Sequence, residues 1–127
     1  MIYKKNVPPV IAPCVWSIVE LIKTHFQPDK IILFGPYFSG TISRKSEVNL
    51  LVIKDSFLPK GERAKEIEIL LSDNSTPVDI LVYTPIELEI ALKNKYGFIN
   101  TVLMVSYTMY DKELCTEKEK ATSILQH

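Results

Sequence analysis

Three short apolar runs rich in β-branched residues, Lys30–Phe34, Glu47–Ile53 and Pro77–Tyr83, constrain this chain more than any other feature. Each reads as a buried strand. Around them the apolar period lengthens to three and four residues. Ile11, Val15, Ile18, Val19 and Ile22 mark one face of an amphipathic helix running to Phe26, with Pro13 in its first turn and Gln27-Pro28-Asp29 ending it. Lys60–Ser72 reads as a second helix, with Ala64, Ile67, Leu70 and Leu71 inward and Glu62, Arg63 and Glu66 outward. Thr84-Pro85-Ile86-Glu87 has the form of a helix start, with a capping threonine, proline in the first turn and glutamate three residues after the cap. That helix is expected to reach about Lys95 and to be broken by Gly97. A further helix is expected from Phe98 to about Val105. Alternation of this kind predicts a small α/β domain of two or three layers.

The chain has 127 residues, 46% of them hydrophobic, enough for one domain with a core that needs no staples. Fifteen basic and fifteen acidic residues cancel. A neutral chain has no global field to draw in nucleic acid, so its charge gives little support to a general DNA- or RNA-binding role; a local basic patch stays open. Cys14 and Cys115 lie far apart and form neither a metal-ligand pair nor a disulfide framework, as expected of reduced thiols in a cytoplasmic protein. The opening Met1-Ile2-Tyr3-Lys4-Lys5 with Pro8-Pro9 has no signal-peptide pattern, and no apolar stretch approaches the roughly 20 residues needed to span a bilayer. Residues 1–111 are expected to form the domain, beginning with an extended lead-in over 1–10. Residues 112–127 are expected to be a polar, frayed tail or a surface helix, with Glu117-Lys118-Glu119-Lys120 as a solvated face.

The segment most informative about chemistry is Leu33-Phe34-Gly35-Pro36-Tyr37-Phe38-Ser39-Gly40-Thr41, followed by Ser46-Glu47-Val48-Asn49-Leu50. A strand ends in glycine, a short helix or turn closed by Gly40 follows, and the next strand opens with polar residues two apart. Positions i and i+2 of a strand project to the same side, so Glu47 and Asn49 point together. Asp79, in Val78-Asp79-Ile80, joins them if the strands are neighbours. A glycine-headed helix N-terminus facing such a cluster is a place for a phosphate.

On these residues the chain resembles the minimal nucleotidyltransferases of the polymerase-beta-like superfamily, the antitoxin type included. That family's pattern is a strand leading to Gly-Ser, then an aromatic and small residues, Gly-Thr, Ser-Asp-x-Asp-Leu on the next strand and a third Asp on a later one. The spacing matches without a gap from Gly35 to Leu50, and Gly35, Tyr37, Gly40, Thr41, Ser46 and Leu50 stand where the pattern has the same residues. The likeness extends over about residues 11 to 111. It implies a small mixed β-sheet with flanking helices, the palm-like nucleotidyltransferase fold. It also implies a metal site at Glu47, Asn49 and Asp79, nucleotide contacts from Gly35, Pro36, Tyr37 and Ser39, and Mg²⁺ as the cofactor. The implied partners are a nucleotide and a small helical, toxin-like protein.

Four positions depart from the pattern. Pro36 replaces the serine after the first glycine, Ser39 an arginine common before the second, Glu47 the first aspartate and Asn49 the second. Two Mg²⁺ ions about 3.5–4 Å apart clamp the attacking and leaving oxygens in such enzymes. Mg²⁺ takes hard, anionic oxygen, and an amide bridges two ions poorly. Pro36 offers neither hydroxyl nor N–H to a phosphate. The expectation is a nucleotidyltransferase relic with weakened or lost catalysis. A non-catalytic antitoxin-like module and an enzyme still using Asn49 as a neutral ligand are the alternatives.

Taken singly, these residues have plainer readings. Gly35-Pro36 also suits a simple strand-to-helix turn, and Asp79 a satisfied, half-buried carboxylate. Tyr37 either stacks on a base or covers the short helix. His25 belongs at a helix C-terminus, and His127 to the tail. Trp16 falls beside the apolar face of the first helix, as a core or dimer contact. The apolar content of that helix and of residues 98–109 exceeds what a small sheet covers, so a helix face is expected to meet another chain, either a partner or a second copy.

Overall fold

A computed structural model of the chain describes residues 10–114. The elements run α1 (Pro13–Phe26), β1 (Lys30–Phe34), α2 (Pro36–Ser39), β2 (Val48–Ile53), α3 (Lys65–Leu70), β3 (Val78–Tyr83), α4 (Pro85–Leu92), α5 (Phe98–Met104) and β4 (Ser106–Asp111). The lead-in over 1–9, Cys115, the Glu117–Lys120 run and His127 lie outside the described residues.

The four strands form one mixed sheet in the order β3-β2-β1-β4. β2 and β3 are parallel, while β1 is antiparallel to both β2 and β4. Strand alternation divides the core in two. Ile31, Leu33, Val48, Leu50, Val52, Ile80 and Val82 face α1 and α3, where Val15, Ile18, Val19, Ile22 and Ile67 meet them. Ile32, Leu51 and Ile53 face the opposite layer, where Leu88 and Ala91 of α4 and Ile99 and Leu103 of α5 cover them. The domain is therefore three-layered, and β1 and β2 read as unbroken apolar runs because both their faces are covered.

Local chemistry explains the boundaries. Pro13 starts α1, and Gln27 ends it in the left-handed conformation at φ 47°, donating its N–H to the Lys23 carbonyl. Lys54 donates to the part-buried Phe26 carbonyl at the same end. His25 lies at this end, as expected, with Nδ1 3.0 Å from the Leu21 carbonyl. At α4 the capping box is complete: the Thr84 hydroxyl accepts from the Glu87 N–H at 3.2 Å and the Glu87 carboxylate accepts from the Thr84 N–H at 2.9 Å.

Several expectations need correcting. The helix expected over 60–72 is a 3₁₀ turn at Lys60–Glu62 followed by a shorter α3. Arg63, expected outward, has a side chain only 9% exposed and is turned onto Glu87. The α4 helix stops at Leu92. The stretch after α5 contains a strand, β4, that pairs with β1 and carries Met109 into the core, so part of the apolar content of 98–109 is used inside the sheet. Val15, Ile18, Val19 and Ile22 of α1 are buried as well, whereas Trp16 on the same helix is 43% exposed. Apolar surface remains elsewhere: Ile86 and Ile90 on α4, Tyr96, Phe98 and Met104 are exposed. Cys14 is a free thiol packed partly against the core.

Candidate active site

The strand-head cluster is built from three neighbouring strands. β1 ends at Phe34, which pairs in register with Asn49 of β2, and Asn49 pairs in turn with Asp79 of β3. Asn49 and Asp79 thus share one face of the sheet, the face that α4 and α5 cover further along the strands. Glu47 stands two residues before Asn49, just ahead of the first β2 residue. Glu47 and Asp79 are exposed and Asn49 is half-buried, so the half-buried reading of Asp79 is corrected.

Gly35 turns the chain from β1 into α2 with φ 79° and ψ −159°, a region that essentially only glycine occupies. A Cβ at Gly35 would lie 2.4 Å from Asn49 Nδ2, so the turn and the asparagine are packed directly together. Pro36 follows at the first helical position and has no N–H. The N–H groups of Phe38 and Ser39 both return to the Gly35 carbonyl at 3.0 Å, and that of Gly40 returns to the Pro36 carbonyl at 2.8 Å. These amides satisfy the turn itself rather than standing ready for a phosphate. Ser39 Oγ is 2.8 Å from Thr41 Oγ1, and Tyr37 packs partly against the core on the α1 side of the sheet. Ser46 organises the following loop, its hydroxyl accepting from the Ser43 N–H at 2.8 Å.

Asp79 also lines a cavity of about 630 Å³ along the outer edge of β3, with Lys60, Glu68, Tyr83 and Phe98 around it. At the end of β3, around the Val82 carbonyl, lies a network that sequence reading did not find. The Arg63 guanidinium binds both carboxylate oxygens of Glu87, the Nη2–Oε2 contact measuring 3.2 Å, and also donates to the carbonyls of Leu58 at 2.9 Å and Val82 at 3.3 Å. This hydrogen bonding holds the Glu87 carboxyl down at about 2, with the Thr84 N–H assisting. Lys60 Nζ stands 3.6 Å from the centre of the Tyr83 ring. The capping glutamate was visible in the sequence; its partner, 24 residues upstream, was not.

The nucleotidyltransferase domain family model matches residues 17–103, a span holding Gly35, Pro36, Glu47, Asn49 and Asp79. The chain belongs to the nucleotidyltransferase domain family. Among solved structures, a toxin–antitoxin with AMP-PNP is 22% identical over 87% of this chain and 85% of that one, with a TM-score of 0.54. A toxin–antitoxin MntA–HpeT mutant, with two aspartates changed to glutamate, is also 22% identical, over 87% and 86%, with a TM-score of 0.54. Both share the fold. No curated protein matches the chain.

Nucleotidyltransferases generally use a divalent metal, and the donor set here can be tested against one. Glu47 and Asp79 supply two carboxylates; the residue between them is an amide whose N–H₂ end faces Gly35 and donates to the Glu47 carbonyl at 3.3 Å. Among the described residues, no three His, Cys, Asp or Glu side chains come together in a way that could hold a metal ion. The residues present do not fit a pair of ions bridged by anionic oxygen. Among the described residues, no helix is long and apolar enough to cross a membrane.

Proposed function

We propose that this nucleotidyltransferase domain has weakened or lost nucleotide transfer and retains at most weak recognition of a Mg²⁺–nucleotide. The observation that carries this reading is the register Phe34–Asn49–Asp79, which puts a neutral amide between the strand-end turn and the third acid, where the family pattern has a carboxylate. Pro36 adds to it, because the turn that would meet a phosphate lacks one N–H and one hydroxyl. Each such donor to a charged acceptor contributes about 1.5–3 kcal/mol.

Calorimetry with Mg²⁺ and ATP on the unmodified chain, Asn49→Asp, Pro36→Ser and the double variant tests this reading. Asn49→Asp is expected to tighten metal-dependent binding by at least roughly 10-fold, since even an outer-shell change at a metal site is worth about 10–100-fold. Pro36→Ser mainly helps phosphate binding. The double change exceeds either alone, because metal and phosphate bind as one unit. Tight Mg²⁺–ATP binding by the unmodified chain, or ready transfer to a natural acceptor, would defeat the proposal and make Asn49 a working ligand.

A second reading is an antitoxin-like module that acts by contact with a small helical partner. It is favoured by the exposed apolar residues Ile86, Ile90, Tyr96, Phe98 and Met104, and by toxin–antitoxin proteins among the similar folds. Co-purification with the product of an adjacent small reading frame, lost on Ile86→Lys with Ile90→Lys, supports it; sedimentation as a monomer without any such partner counts against it.

A further inference from the structure

The Asn49 side chain occupies the notch at the end of β1. A Cβ on Gly35 would sit 2.4 Å from Asn49 Nδ2, 3.2 Å from its Cγ and 3.4 Å from its Cβ. The same Nδ2 donates to the Glu47 carbonyl at 3.3 Å, and Asp79 lies beside Asn49 in register. One neutral amide therefore lies against the turn and the chain entering β2, on the strand position paired with Asp79 of β3. A carboxylate of the same shape has only acceptors at neutral pH. It would face the Glu47 carbonyl oxygen on one side and the Asp79 carboxylate on the other, and like charges directly opposite on neighbouring strands are destabilising. Such a cluster is stabilised by a bound cation; the amide gives no such dependence.

Resting on the reading that this site has parted from metal-dependent transfer, we infer that Asn49 is a positioning residue: its amide holds the Gly35 turn and the head of β2 together, so the strand-head cluster assembles without a divalent cation. The asparagine is then more than a lost ligand. Its amide donates to the Glu47 backbone carbonyl while the side chain packs against the Gly35 turn, and neither contact needs a metal.

Thermal melting of the full chain without nucleotide, in EDTA and in millimolar Mg²⁺ at matched ionic strength, tests this. The unmodified chain is expected to melt at the same temperature in both. Asn49→Asp is expected to fall by about 4–8 °C in EDTA, the shift for losing one net hydrogen bond in a domain of this size, and to recover most of it in Mg²⁺. Asn49→Ala falls in both alike. An unmodified chain that gains as much from Mg²⁺ as Asn49→Asp, or an Asn49→Asp protein that melts with the unmodified chain in EDTA, overturns the inference. If Asn49→Asp alone fails to fold, the swap Asn49→Asp with Asp79→Asn keeps the charge unchanged but moves the amide. It is expected to melt lower than the unmodified chain with no response to Mg²⁺, and equal melting temperatures would refute the positioning role. These melts contain no nucleotide and no acceptor, so ready nucleotide transfer would defeat the proposed loss of catalysis while leaving this result standing.

Discussion

The two ends of the sheet are built on different terms. At the end where β1 starts and β2 and β3 finish, charges are paired. Arg63 holds Glu87, Lys112 Nζ lies 2.8 Å from Asp29, Lys30 lies 3.8 Å from Asp111, and Lys54 donates to the Phe26 carbonyl. At the opposite end, where Gly35, Asn49 and Asp79 come together across β1, β2 and β3, no ion pair among the described residues reaches Glu47 or Asp79. That end is held instead by turn geometry, Gly35 at positive φ against an asparagine amide. Under the proposed function the second end is the one that would meet a nucleotide, and its acids stay exposed to solvent. The braced end is held by paired charges; the bare end is held by a turn and an amide.

Breaking the braced end is expected to have the largest effect. Arg63→Ala strips the Glu87 carboxylate of its guanidinium and the Leu58 and Val82 carbonyls of a donor, in a spot where the arginine is 9% exposed. A loss of about 3 kcal/mol is expected in urea titration. At the bare end, Gly35→Ala is expected to cost about 2 kcal/mol, from the backbone conformation and the Asn49 contact together. Adding Asn49→Ala relieves the contact but not the φ, so the double variant recovers only part of that loss, a coupling that a double-mutant cycle measures.

Glu87→Gln sharpens the comparison through pH. The carboxyl sits at about 2 against an ordinary value of 4.5, chiefly because of its hydrogen bond to Arg63. A depressed carboxylate stabilises the fold fully above its unfolded value, and that contribution is lost as the pH falls from 4.5 toward 2. The deficit of Glu87→Gln is therefore expected to be about 1 kcal/mol at neutral pH and to shrink across that window, as acid titration of the two proteins side by side would reveal. Smallest of all, Glu47→Gln is expected to stay within about 0.5 kcal/mol of the unmodified chain. A larger loss there would mean that the bare end is braced by Glu47 after all.

Much of this arrangement was legible in the residues. The short β-branched apolar runs and the helical periods identified three strands and the helices around them, and the complete capping box at Thr84 was visible because all its parts lie within four residues. The Gly35–Leu50 motif was legible for a related reason: a strand end, a turn and a strand start are consecutive in the chain, and each needs its own residue type.

β4 is hard to read from sequence because Ser106-Tyr107-Thr108-Met109 alternates for only four residues directly after a helix, and Tyr110 breaks the period at the bulge. It is an edge strand whose register shifts against β1, and pairing with β1 makes it a strand. Arg63 was misplaced because a helical wheel assigns it to solvent, whereas the 3₁₀ turn before α3 swings it toward a glutamate far along the chain. By itself, the sequence determined the local elements and the chemical types at the strand heads, since those follow from backbone preference and from spacings of a few residues. Only the tertiary structure decided that Asn49 would sit in register between Phe34 and Asp79 with its amide against Gly35, because hydrogen-bonded strand pairing brings together residues that no local preference connects.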